Sequence, residues 1–163
     1  MSYKPEPGHN IDAGTLYRIH EGAHIHVTTY DLLTAKRAVL FGGPAPFSRL
    51  DTQQAKEYAE VCERMLAHVD NVYGIYCQDA FVMHQFEKHI GSDRVMFYGD
   101  GDAYFTRGHN LHVDFSNQGL GLRAGRYAMV VKDRILEKIF LDDYSTIQET
   151  SAQKVLEWLE QSK

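Results

Sequence analysis

The stretch Tyr127-Ala128-Met129-Val130-Val131-Lys132-Asp133-Arg134-Ile135-Leu136-Glu137-Lys138-Ile139-Phe140-Leu141 holds two apolar runs, 127–132 and 135–141, divided by the polar pair Asp133-Arg134. Two such runs with a two-residue polar break predict an antiparallel hairpin. Upstream of it, short apolar runs alternate with helical stripes. Ala38–Phe41 is apolar without alternation and is bounded by Gly42, Gly43 and Pro44, the signature of a strand buried on both faces. Ala55, Tyr58, Cys62, Met65 and Val69 then recur at spacings of three and four, which predicts a helix from about Asp51 to His68. Val72–Cys77 is a second buried run. Asp79 opens a helix with Val82, Met83, Phe86 and Ile90 on one side, and Val95–Tyr98 is a third strand.

The ends complete the order. Residues 1–13 read as an irregular, polar lead-in. Thr15–Ile19 and His24–Thr28 flank Glu21-Gly22 and predict a first hairpin, and Asp102–Arg107 suits a brief helix. Beyond the late hairpin, Thr150 or Ser151 caps a final helix with Ala152, Val155, Leu156 and Leu159 on its buried stripe. The order is hairpin, strand, helix, strand, helix, strand, hairpin, helix. It predicts one α/β domain over residues 1–163, with a central mixed β-sheet flanked by helices. The pattern also allows a flavodoxin-like domain. The late hairpin, which adds antiparallel strands to the sheet, favours a thioredoxin-like fold.

Composition narrows the function classes. The chain has 163 residues, 44% hydrophobic and 24% charged, close to a soluble globular average, and long enough to bury a core without disulfides or metals. A net charge of -5 offers no basic surface for phosphates, so nucleic acid is not an expected partner. The start Met-Ser-Tyr-Lys-Pro-Glu-Pro-Gly has no apolar run behind a basic end, and no segment approaches the roughly 20 apolar residues that span a bilayer. No membrane association is expected, and the cytoplasm is the expected compartment. Cys62 and Cys77 are the two cysteines; they form no C-x-x-C pair and are expected to be reduced.

Three stretches together resemble the peroxiredoxins, and within them the type-five subfamily of atypical two-cysteine enzymes. The first is Val39-Leu40-Phe41-Gly42-Gly43-Pro44-Ala45-Pro46-Phe47-Ser48-Arg49-Leu50-Asp51, similar to an apolar strand, a glycine and P-x-x-x-T-x-x-C, with Pro44, Ser48 and Asp51 on its three fixed positions. The second, Gln78-Asp79-Ala80-Phe81-Val82-Met83, resembles N-D-A-F-V-M at a helix start. The third, residues 119–131, resembles a run with two arginines before a buried strand. The resemblance runs from about residue 11 to the C-terminus.

It implies a thioredoxin-like fold of the peroxiredoxin type, homodimers built through loops around the active-site helix, and a thioredoxin-like protein as reductant. It also implies that Asp51 stands where the reactive cysteine belongs. Ser48 replaces a threonine, Gly43, Ala45 and Pro46 alter the loop, and no cysteine follows Cys77 to resolve an intermediate. The resemblance makes Arg123 the cation facing residue 51, with the Ser48 hydroxyl as hydrogen-bonding partner. It also puts Arg134 where the late hairpin has glycine. Arginine would be strained at positive φ, so a different turn type is expected.

Thiol peroxidases work because a thiolate, held near a helix N-terminus and a cation, attacks the peroxide bond. A carboxylate cannot pass through a sulfenic acid, so Asp51 is not expected to turn over peroxide. Three readings of Asp51 follow. It caps a helix, since Ser48-x-x-Asp51 and Asp51-x-x-Gln54 both have capping spacing. Alternatively, paired with Arg123, it imitates the charge of a cysteine oxidised to sulfinate and fixes one state for a partner to read. Or it serves some other acid–base reaction. The enzymatic rival is a displaced nucleophile: Cys77 at a strand end or, less well placed, Cys62 on its helix's apolar stripe. His24 with His26, and His109-x-x-His112-x-Asp114, have ligand-like spacings, although histidines in loops and edge strands are usually unliganded. Asp100-Gly101-Asp102 is too short for a calcium loop, and Gly119-x-Gly121 lacks the third glycine of a dinucleotide fingerprint. No metal and no cofactor are expected.

Overall fold

The computed structural model describes residues 4–162. Its elements, in chain order, are β1 (Thr15–His20), β2 (Ala23–Thr28), α1 (Thr29–Leu33), β3 (Arg37–Gly42), α2 (Arg49–Met65), β4 (Asn71–Tyr76), α3 (Ala80–Ile90), β5 (Val95–Gly99), α4 (Tyr104–Gly108), β6 (His112–Phe115), β7 (Gly121–Ala124), β8 (Arg126–Lys132), β9 (Ile135–Asp142) and α5 (Ala152–Gln161). Seven strands form one sheet in the order β2-β1-β5-β4-β3-β8-β9, and β6 and β7 form a separate ribbon. The pairings β3–β4 and β4–β5 are parallel, while the pairings made by β1, β2, β8 and β9 are antiparallel. This is the mixed sheet of a thioredoxin-like α/β fold.

Strand alternation sorts the core into two layers. Val39, Phe41, Val72, Tyr76, Phe97, Ala128 and Val130 face α2, α3 and α5. Ala38, Leu40, Tyr73, Ile75, Tyr127, Met129 and Val131 face the other way and pack under Ile11, Leu33, Phe105 and Leu111. Ile11 belongs to the lead-in, whose described residues hold no helix and are tied along β9 by Gly8 N–H to Leu136 O (2.8 Å) and Leu136 N–H to His9 O (2.9 Å). Among the described residues no helix is long and apolar enough to cross a membrane.

Caps set the helix boundaries. Ser48 opens α2, Asp79 opens α3 by accepting the Val82 N–H (2.8 Å), and Ser151, not Thr150, opens α5 by accepting the Lys154 N–H (3.2 Å). Helix α1 and the β6–β7 ribbon have no counterpart in the sequence reading. The late hairpin also departs from expectation. Asp133 (φ +47) and Arg134 (φ +68) both lie in the left-handed region, so the turn is the primed type and not the different type expected from the arginine. Tertiary contacts hold it there. The Asp133 carboxylate accepts the Ala35 N–H (2.7 Å), and the Arg134 guanidinium lies 4.2 Å from the centre of the Tyr30 ring.

Candidate functional site

Helix α2 begins against the carboxyl end of the sheet, beside the loop that leaves β3. Two glycines make the approach tight. A Cβ on Gly42 would stand 2.4 Å from the Ile75 carbonyl oxygen, and one on Gly43 would stand 2.0 Å from Asp51 Oδ1. Ser48 has extended backbone and caps α2, its hydroxyl oxygen accepting the Asp51 N–H (3.2 Å). Asp51 therefore sits in the first turn, where the helix dipole favours negative charge.

Asp51 is wholly buried. Its Oδ2 accepts the Ala45 N–H (3.0 Å) and the Ser48 hydroxyl (3.2 Å), and its Oδ1 accepts Arg126 Nη1–H (2.9 Å). Burying a carboxylate is costly unless it is paired and hydrogen-bonded, and here it is both. The partner corrects the sequence reading: Arg126, not Arg123, makes the ion pair. Register explains the exchange. Arg126 opens β8 in phase with Ala128 and Val130, on the face that α2 covers, whereas Arg123 lies on the separate ribbon. Arg123 instead donates to the Pro44 carbonyl (2.8 Å), and with the Gln78 amide oxygen turned toward it also donates there, at 3.1 and 3.2 Å. Pro44 and Ser48 thus stand at the site, and Arg123 braces its loop.

Arg126 is itself buried. Beyond Asp51, Nη1 donates to Gln54 Oε1 (2.7 Å), while Nε and Nη2 donate to the Tyr144 carbonyl (3.3 and 3.1 Å). Tyr76 reaches the same region with a buried hydroxyl that has no partner among the described residues. Its phenol is held well above the usual range, first by burial and then by the Asp51 charge.

Comparison with known proteins agrees with this architecture. Over 117 residues the chain is 37% identical to the peroxiredoxin sll1621 of Synechocystis, a match covering 71% of this chain and 62% of the relative. It is 35% identical over 118 residues to the peroxiredoxin y4vD of Sinorhizobium fredii, covering 71% and 63%. The chain therefore spans about three-fifths of the length of these curated relatives. The crystal structure of reduced Prx3 in complex with hydrogen peroxide, from Vibrio vulnificus, superposes with a TM-score of 0.91 at 25% identity, covering 95% of this chain and 99% of that one. The chain belongs to the peroxiredoxin family. No protein-family model matches it.

In this peroxiredoxin-family chain neither thiol stands at the tip of α2. Cys77 follows β4 and is nearly covered; its Sγ–H donates to the Thr106 hydroxyl (3.3 Å). That hydroxyl is turned by its own bond to Asp100 Oδ2 (2.7 Å). Burial pushes the Cys77 thiol up to about 11, against partial relief from Thr106. Only about one molecule in ten thousand would carry the thiolate at pH 7. Cys62 is buried among the apolar residues under α2, and burial raises its thiol to about 11 as well.

The histidines stay apart. His24, on the edge hairpin, lies tilted against Phe81 (5.5 Å between ring centres), and His109 is buried with Nδ1–H donating to the Phe105 carbonyl (2.9 Å). Burial lowers the His109 pKa. Among the described residues no three His, Cys, Asp or Glu side chains are grouped as metal ligands. Asp100 accepts the N–H groups of Phe105 (3.2 Å) and Thr106 (2.8 Å) at the start of α4. The sequence reading gave Arg126 no place in the site, and it named Gln54 only for its capping spacing with Asp51, not as the acceptor for Arg126 that it is. The signal for Arg126 was its place at the opening of an apolar run, where a charge must either end the strand or find a buried partner.

Proposed function

We propose that this chain is a peroxiredoxin-family protein of the type-five kind that does not turn over peroxide at residue 51. It serves instead as a binding, regulatory or structural protein in redox physiology. The observation that carries the reading is the Asp51 carboxylate, buried at the first turn of α2 and held by Arg126, Ser48 and the Ala45 N–H. The motif resemblance gives that position to the reactive cysteine, and peroxide reduction by this family runs through sulfur. The donors that would steady a thiolate act here on a carboxylate. In charge, that anion matches a cysteine oxidised to sulfinate, so the domain is held in one redox-like state for a partner to read. A cytoplasmic location and assembly into homodimers go with this proposal.

The test is peroxide consumption by the purified protein, with dithiothreitol or thioredoxin as reductant. No consumption above a protein-free control is expected. Turnover that Cys77→Ser abolishes would establish the rival, a displaced nucleophile. Asp51→Cys tests the mimicry itself: should parent and variant capture the same partners with equal affinity, the fixed charge is not what partners read.

A further inference from the structure

We infer that the Asp51 charge is a latch that holds the segment 142–151 closed over the end of the sheet, so that the buried charge at residue 51 is displayed at the surface through Tyr144. The connection is continuous. Asp51 holds Arg126 Nη1, and the other side of the same guanidinium donates twice to the Tyr144 carbonyl. In parallel, Arg126 orients Gln54, whose Nε2 donates to the Thr150 hydroxyl (3.1 Å) and carbonyl (3.3 Å); Tyr58 also donates to that carbonyl (2.7 Å). The Thr150 hydroxyl donates to Asp142 Oδ2 (2.7 Å), and the Asp142 carboxylate gathers the N–H groups of Gln148 (2.8 Å), Glu149 (3.0 Å) and Thr150 (2.9 Å). Every link from residue 51 to residue 142 is a hydrogen bond, and Asp51, Arg126, Gln54 and Thr150 are all buried.

A second path closes the circuit. The Tyr144 ring meets the buried Phe115 edge-on at 4.9 Å, Phe115 belongs to β6, β6 pairs with β7, and β7 carries Arg123, which holds Pro44 next to Ala45. The 142–151 segment, the ribbon and the loop before α2 are thus fastened to one another around a single ion pair. Arg126 is oriented on the α2 side by Asp51 and Gln54. Without the anion, the guanidinium loses its charge partner and its hold on Tyr144 weakens. Tyr144 is already half-exposed, so its release alters a surface a partner can touch. This inference rests on the reading of Asp51 as a fixed buried anion, and not on the lack of turnover. An active protein with a working latch, or an inactive one without it, would separate the two.

Hydrogen–deuterium exchange followed by mass spectrometry, on the full chain and its Asp51→Asn variant, tests it. Asparagine keeps the size and removes the charge. At labelling times short enough to leave β3, β4 and β8 protected in both proteins, amides of residues 143–151 should exchange at least about tenfold faster in the variant. Unchanged protection in 143–151, or a rise equal to that of the central strands, overturns the latch. If Asp51→Asn does not fold, Thr150→Val carries the test, since it removes the hydroxyl that joins Gln54 to Asp142, keeps the backbone contacts of residue 150 and leaves the ion pair untouched. Faster exchange in both 143–151 and the first turn of α2 is then expected. Loosening of 143–151 alone would show that the two ends are not coupled.

Discussion

Removing the Arg126 guanidinium is the sharpest test of what holds the site. Arg126→Met keeps much of the aliphatic stem and leaves Asp51 buried with two donors, the Ala45 N–H and the Ser48 hydroxyl. Gln54 Oε1 loses its 2.7 Å donor as well, while the Tyr144 carbonyl belongs to a loop that water can reach. Breaking a buried ion pair from one side costs about 3–5 kcal/mol, a large part of the roughly 5–15 kcal/mol that holds a typical domain together. Asp51→Asn should cost a similar amount by stranding the guanidinium. In the double variant no charge is stranded, and the remaining cost falls to about 1–3 kcal/mol for polar groups left without partners. The two changes should therefore be non-additive by at least about 2 kcal/mol. Urea unfolding followed by far-ultraviolet circular dichroism on the four proteins measures it. A coupling below about 0.5 kcal/mol would mean that Arg126 only fills space, and the account of the site would fail.

Other expectations are more local. Gly43→Ala should destabilise by about 2 kcal/mol or more, because its Cβ would overlap Asp51 Oδ1, and the cost should shrink in an Asp51→Ala background; thermal melts of the three variants decide it. Stability should fall on the alkaline side. Burial lifts both thiols from 9.0 to about 11, so the neutral forms favoured by folding contribute fully below pH 9, and that contribution is lost as pH rises through 11. The buried phenols of Tyr58, Tyr76 and Tyr127 act in the same direction, and a melting temperature level from pH 8 to 11 would contradict the burial. Acid should loosen the 142–151 segment first. Burial pushes Asp142 up, but the Thr150 hydroxyl and the N–H groups of residues 150, 148 and 149 outweigh it, so its pKa falls below 3.8. Its contribution is present above that value and disappears as pH drops through the folded pKa, which amide exchange near pH 3 can follow against the central strands.

Where hydrophobic pattern is strong, the sequence is easily read. β3, β4 and β8 are near-continuous apolar runs because both faces of the central sheet are covered, and α2 and α5 carry clear stripes. The β6–β7 ribbon escaped because His112-Val113-Asp114-Phe115 and Gly121-Leu122-Arg123-Ala124 are short and mixed, and pair only with each other. The turn at Asp133-Arg134 was misjudged for a different reason. Its positive φ angles are sustained by Ala35, Lys36 and Tyr30, residues about a hundred positions away that no local rule can weigh. The choice between Arg123 and Arg126 was likewise a matter of register. An apolar strand hides its parity, and only the packing of Ala128 and Val130 under α2 reveals which arginine faces Asp51.

The loop and the carboxylate are best understood as one steric solution. Asp51 Oδ1 occupies space that any side chain at residue 43 would need, so aspartate at 51 requires glycine at 43 in this arrangement. The carboxylate also has two oxygens to satisfy. Ala45 and Ser48 serve one, Arg126 the other, and Gln54 fixes the same Nη1 from the far side. A thiolate offers a single acceptor atom and fills less of that volume. Replacing Asp51 with cysteine alone would leave a gap beside Gly43 and a guanidinium still shared with Gln54 and Tyr144. Recovery of thiol chemistry at this helix tip should therefore require the loop to change along with residue 51, and a single substitution that restored full peroxide turnover would show that the surroundings were never rebuilt around the charge.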